Sequence, residues 1–173
     1  MDSNERREKI LNILKQSKKP IKGIGLAAEF KVSRQVIVQD IAILRAKGDN
    51  IIATPQGYII PDSVKTDTIV KTIVCKHSGG EEMEDELNTI VDMGGKVIDV
   101  IVEHPIYGEI KGLLLISSRL DVKNFMKNVK QSNAEPLSLL TEGIHIHSIE
   151  VKNEDSFKNI VNALKEKKYL INF

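Results

Sequence analysis

With 173 residues, 41% of them hydrophobic and 28% charged, and a net charge of +1, the chain holds one ordinary domain or two small ones and too much apolar content for wholesale disorder. Its single cysteine, Cys75, excludes an internal disulfide framework and a Cys-based zinc cluster, and no apolar run approaches the ~20 residues that span a bilayer. The charge is divided: residues 1–61 carry eleven Lys/Arg against six Asp/Glu, and residues 62–173 fourteen against eighteen, a basic module joined to an acidic one.

The polar start MDSNERREKI runs straight into a helical pattern and is no signal peptide, so the chain is expected to be cytoplasmic. Ile10, Leu11, Ile13 and Leu14 recur at helical spacing over 5–17, and Pro20 stops that helix. Leu26, Ala27 and Phe30 mark a short second helix. Ser33 is placed as N-cap of a third, SRQVIVQDIAILRAKG, with Ile37, Ile41 and Leu44 inward and Gly48 as its stop. The runs IIAT and GYII, joined by Pro55-Gln56-Gly57, read as a hairpin. Three helices and a hairpin make the order of a winged helix-turn-helix over 1–61.

The outer face of that third helix carries Arg34, Gln35, Val38 and Gln39. Arginine chelates guanine, glutamine chelates adenine and valine touches a thymine methyl, so the face suits a major groove. Ser33 and the helix N-terminus offer a phosphate site, and Gln56 at the wing tip would follow the backbone or minor groove. The bland reading is a protein-interaction module; the positive balance favours operator DNA.

Residues 62–67 are polar and follow Pro61, the pattern of a linker. The remainder, 68–173, alternates strand and helix: strands at 68–76, 96–104, 109–118 and 144–152, helices at 81–94, 121–131 and 154–168. That is a ferredoxin-like βαββαβ order with an extra C-terminal helix, making the whole chain α+β. Leu113–Ile116 and Tyr169–Phe173 are apolar enough for core or for a subunit contact.

All four histidines lie in this second module, at 77, 104, 145 and 147. The ends of the first and second strands and the start of the fourth fall at one edge of such a sheet, which gathers them. His145 and His147 share a face because strand side chains alternate. An acidic helix start follows His77, so Glu84, Asp85 or Glu86 can join, Glu86 being nearest the sheet. Three imidazoles and a carboxylate suit one first-row divalent ion, such as nickel, zinc, iron or manganese. The plainer reading of the acidic run is a solvated helix start favoured by the dipole.

The segments VSRQVIVQDIAILRAKG and GYII, then VCKH (74–77), DELNTIVDMGGKVIDVIVEHPIYGEI (85–110) and GIHIH (143–147), resemble the nicotinate-responsive winged-helix repressors of NAD biosynthesis and niacin uptake, over essentially the whole chain. The resemblance implies a metal on His77, His145, His147 and Glu86, with Asp85 a substitute should the family's often shorter spacing apply. It also implies His104 in an effector pocket and nicotinic acid as corepressor. A nicotinate carboxylate wants a cation; Arg119 lies at the far edge, so the metal or Lys76 is the anchor, with Tyr107 offering a ring or hydroxyl. A homodimer is expected, because a symmetric operator needs two reader helices.

Two other functions fit the same residues. One is a repressor that senses the metal itself, without an organic effector. The other is a metalloenzyme fused to a DNA-targeting domain, but no phosphate loop, nucleophile elbow or HExxH motif is present, so no enzyme is expected.

Overall fold

The computed structural model describes residues 2–61, 68–132 and 134–171; the expected linker 62–67 lies outside them. The chain divides into two compact units, Met1–Lys65 and Thr66–Phe173.

In the first unit, α1 (Ser3–Gln16), α2 (Gly23–Glu29) and α3 (Arg34–Ala46) precede a hairpin of β1 (Ile52–Thr54) and β2 (Gly57–Ile59). Ile10, Leu14, Leu26, Ile37, Ile41 and Leu44 form its core, the same residues that recur at helical spacing. The tight turn between α2 and α3 is a Schellman motif. Lys31 takes φ 52, its N–H bonds Ala28 O and the Val32 N–H bonds Ala27 O. Ser33 then caps α3, its hydroxyl oxygen accepting from the Val36 N–H at 3.3 Å. The wing is tied to the helices by reciprocal backbone bonds between Ile21 and Tyr58, both 2.8 Å. Gly57 allows that approach, since a Cβ there would stand 2.3 Å from the Ile21 oxygen.

In the second unit, β3 (Ile69–Lys76), α4 (Gly80–Asp92), β4 (Lys96–His104), β5 (Gly108–Ile116), α5 (Arg119–Gln131), β6 (Ile144–Val151) and α6 (Glu154–Glu166) follow in the expected βαββαβα order. A 3-10 turn at Leu137–Thr141, which periodicity does not disclose, precedes β6. The sheet runs β3-β6-β4-β5 with every neighbouring pair antiparallel. Parallel β3 and β4 are therefore separated by the last strand, where the usual ferredoxin-like order inserts the third. Leu87, Ile90, Val122, Met126, Ile160 and Leu164 from the helices close one core on Ile73, Val97, Leu114, Ile116 and Ile149 from the sheet. Leu114 and Ile116 are buried in this core, and Tyr169 and Leu170 pack against it partly buried.

The register of β4 slips between Val97 and Asp99: Val97 faces Ile149 while Asp99 faces Ser148, so β4 carries one extra residue there. On its other side β5 carries the extra residue, with Leu115 at φ 50. This irregularity sits beside the histidines of β6, since Val100, just past it, faces His147.

Candidate functional site

β3 ends at Lys76, and the chain turns through His77-Ser78-Gly79 into α4. The Glu82 carboxylate reaches back to accept from the Gly79 N–H at 2.8 Å and the Ser78 N–H at 3.3 Å, which pins this turn. Glu86, one helical turn after Glu82, faces inward and is fully buried, deeper than the margin its place on the helix suggests. Three buried imidazoles converge on its carboxylate. His77 Nε2 contacts Oε2 closely, His145 Nε2 lies 3.2 Å from Oε2, and His147 Nε2 lies 3.7 Å from Oε1.

The other ring nitrogens decide the chemistry. His145 Nδ1 is 2.9 Å from the Gly143 carbonyl and His147 Nδ1 is 2.6 Å from the Asp99 carbonyl. A carbonyl oxygen only accepts, so both Nδ1 atoms donate and both Nε2 atoms turn a lone pair or an added proton toward Glu86. The Asp99 carboxylate is itself held by the Ser148 N–H at 3.0 Å and paired with Lys111 at 2.7 Å. Neutral imidazoles so oriented would set lone pairs against a carboxylate, an arrangement that needs a cation between them. Glu86 Oε1 is buried without a hydrogen-bond partner, a further ligand atom left unused, and His77 Nδ1 on the far side of its ring is likewise unpartnered. The donor types and their convergence fit a divalent transition ion.

Without an ion, a proton serves. Burial opposes the charge on Glu86, yet the attraction of His147 and the close contacts of His145 and His77 hold its carboxyl well below the usual range. For His147, burial likewise opposes charge, and the pull of Glu86 with the Asp99 carbonyl outweighs it and raises its pKa.

The structure adds a residue that spacing left aside. Cys75 is fully buried and pairs across the strands with His145. Its Sγ, a Glu86 oxygen and a His145 nitrogen all lie within 4.8 Å of one another. Burial, with Glu86 beside it, pushes this thiol up. Only the β3–β6 register reveals this neighbour; the Cys-x-His spacing before α4 was the one hint available.

The remaining expected residues lie elsewhere. Asp85 does not replace Glu86: its carboxylate takes Lys167 Nζ at 2.6 Å and the Tyr169 hydroxyl at 2.9 Å. Lys76 is exposed and alternates with buried Cys75, so it stands on the opposite face of the sheet from the imidazoles, away from them. His104 caps the β4–β5 turn, its Nδ1 accepting from the Ile106 N–H at 3.2 Å, and its ring rests 5.0 Å from that of Tyr107, which is 75% exposed. The described contacts of both belong to this turn and not to the three-histidine cluster. Arg119 is paired with Asp92.

On α3, Arg34, Gln35 and Gln39 are exposed and Val38 half-buried, while Ile37, Ile41 and Leu44 point inward. Ser33 is exposed, and Gln56 is half-buried at the hairpin turn. One inward residue is not apolar: Asp40, buried among the isoleucines, binds Arg6 at 2.6 Å and Arg7 at 3.2 Å and so locks α1 to α3.

An HTH domain family matches residues 6–59, and the 3H domain family matches residues 70–173. The chain is 44% identical over 167 residues to a Thermotoga maritima protein named probable transcription repressor NiaR, spanning 96% of this chain and 94% of that one. It is 42% identical over 168 residues to the Bacillus subtilis transcription repressor NadR, spanning 96% and 93%.

Proposed function

This chain belongs to the 3H-domain family of helix-turn-helix transcription repressors, and from that premise we propose that it represses transcription with a divalent metal ion, nickel or zinc, as cofactor and nicotinic acid as corepressor. It is a DNA-binding regulator and not an enzyme. No helix among the described residues is long and apolar enough to cross a membrane.

The observation that carries the metal reading is the convergence of three imidazole Nε2 atoms on one buried carboxylate, with two of the Nδ1 protons committed to carbonyls. His77, Glu86, His145 and His147 would hold the ion, which supplies a fixed positive charge. The protein's own groups set the rest: Gly143 and Asp99 orient the rings, and Tyr169, 5.5 Å from the His77 ring, covers one side.

The carboxylate of nicotinate needs a positive partner. Lys76 on the far face does not share the cluster's space, which leaves the ion as the charge that supports this effector; His104 and Tyr107 would meet it only at the β4–β5 turn. On α3, Arg34, Gln35, Val38 and Gln39 would read base edges and Ser33 with Gln56 would contact backbone. A homodimer supplies the second reader helix, and nicotinate favours the DNA-competent pair only by binding it more tightly.

The test is operator-fragment binding by metal-loaded and chelated protein, with and without nicotinate. Tightening by nicotinate that requires metal supports the proposal. The closed character of the cluster, with His77, His145 and His147 all under a tenth exposed, favours a second reading in which the ion alone is the signal. Binding that follows metal and ignores nicotinate would establish that one in its place.

A further inference from the structure

We propose that the Cys75 thiolate is a ligand of the ion held in the three-histidine cluster, so that the donor set is nitrogen, oxygen and sulfur. This rests on the metal reading above and goes beyond it.

Position comes first. Cys75 is fully buried, faces His145 across the β3–β6 ladder, and its sulfur lies within 4.8 Å of both a His145 nitrogen and a Glu86 oxygen. Ions of this class hold sulfur at about 2.3 Å and imidazole nitrogen at about 2.0–2.1 Å, so a small adjustment of side chains brings these donors onto one centre. Glu86 Oε1 is buried without a hydrogen-bond partner, an unused ligand atom on the carboxylate that this sulfur lies beside.

Charge balance comes second. A divalent ion with Glu86 and neutral imidazoles leaves one net positive charge in a site whose residues are nearly all out of water, and an uncompensated buried charge is costly. A thiolate brings the sum to zero, so that a nicotinate carboxylate would be held by coordination to the ion rather than by net charge. On coordination the S–H bond breaks, the proton passes to solvent and a sulfur lone pair forms the bond to the metal, with no change of oxidation state. A soft donor also sets selectivity: it favours zinc, nickel or cobalt over manganese and magnesium, which prefer oxygen.

The experiment loads the full chain with cobalt(II) and records its near-ultraviolet spectrum, and loads it with zinc for X-ray absorption. The expected results are a thiolate-to-cobalt charge-transfer band and a sulfur shell near 2.3 Å. Cys75→Ser should lose both and bind zinc more weakly by at least the roughly 10–100-fold that loss of an outer partner of a ligand costs, with manganese affinity little changed. Metal taken up by the wild-type chain with nitrogen and oxygen donors alone overturns the sulfur ligand and leaves the histidine site standing. No uptake of either ion overturns both. Because the wild-type spectra decide the matter, a poorly folding Cys75→Ser variant does not weaken the test.

Discussion

Gly143 passes so close to His77 that a Cβ on it would stand 2.3 Å from the His77 carbonyl oxygen. Its own carbonyl accepts both the His77 N–H at 3.3 Å and the His145 Nδ1–H at 2.9 Å. One residue without a side chain thus sets the spacing between the turn after β3 and the start of β6, and fixes which nitrogen of His145 faces the carboxylate.

Gly143→Ala should therefore damage the cluster without touching a ligand. The residue sits at φ +87, where a side chain costs about 1–2 kcal/mol in backbone strain alone, and the steric conflict with His77 adds to it. The expected outcome is a lower melting temperature and weaker zinc binding by calorimetry, with free Arg34-face DNA binding retained at the nonspecific level. A variant with wild-type zinc affinity would show that the turn relaxes freely and that Gly143 positions nothing.

The double change His145→Ala, His147→Ala should abolish bound metal and any effector response, while nonspecific DNA affinity survives in the first unit. Metal analysis of the purified variant checks this. Stoichiometric metal in it would remove β6 from the site.

The parts of this picture that were legible in the sequence are those that depend on local period. Ile37, Ile41 and Leu44 on α3, and Leu87 and Ile90 on α4, recur at helical spacing and are buried as expected. The parity of β6 puts His145 and His147 on one face. Parity also tells against Lys76, one residue from Cys75, which a stricter application of alternation would have placed outside. What needed coordinates is long-range. Helix period gives a face but no depth, so the full burial of Glu86 depends on where α4 meets the sheet. Cys75 beside His145 is a matter of register between strands 70 residues apart in the chain. The insertion of β6 between β3 and β4, and the slipped register at Asp99 that aims a carbonyl at His147, are properties of the assembled sheet.

In the first unit, Asp40 answers for two arginines at once. Arg6 and Arg7 are mostly covered and the Asp40 side chain is 3% exposed. Removing Asp40 leaves two neighbouring guanidinium groups, both held by this one carboxylate, without their countercharge. Asp40→Ala should lower the unfolding midpoint of the helix-turn-helix unit and release α1 from α3, followed by denaturant melts with a probe in that unit. A midpoint within error of wild type would mean that the arginines escape to water at little cost.

Arg34→Ala tests the reader face separately from its scaffold. The residue is exposed in the first turn of α3 and pairs with nothing described in the fold, so stability should be unaffected. Operator binding should weaken by about 1–3 kcal/mol with relaxed preference at one base position. Uniform weakening across operator and random DNA would reassign Arg34 to a phosphate.

The metal-free and metal-loaded proteins should respond to pH in opposite senses. Glu86 is depressed below its ordinary 4.5, so its contribution to stability is present above that value and is lost as pH falls through its folded pKa. His147 is raised above its ordinary 6.5, so its contribution is complete below that value and is lost as pH rises through its folded pKa. The pair therefore supports the chelated protein most between about pH 4.5 and 6.5, and its melting temperature should fall as pH climbs beyond 6.5. Metal ligands must be deprotonated to bind, so the zinc-loaded protein should gain over the same interval. Thermal melts from pH 5.5 to 8.5, with His147→Asn as control, read both slopes. The control should flatten the chelated curve, since it removes the proton that balances Glu86. A chelated wild-type protein whose melting temperature rises steadily from pH 6.5 upward would mean that no proton is held between His147 and Glu86.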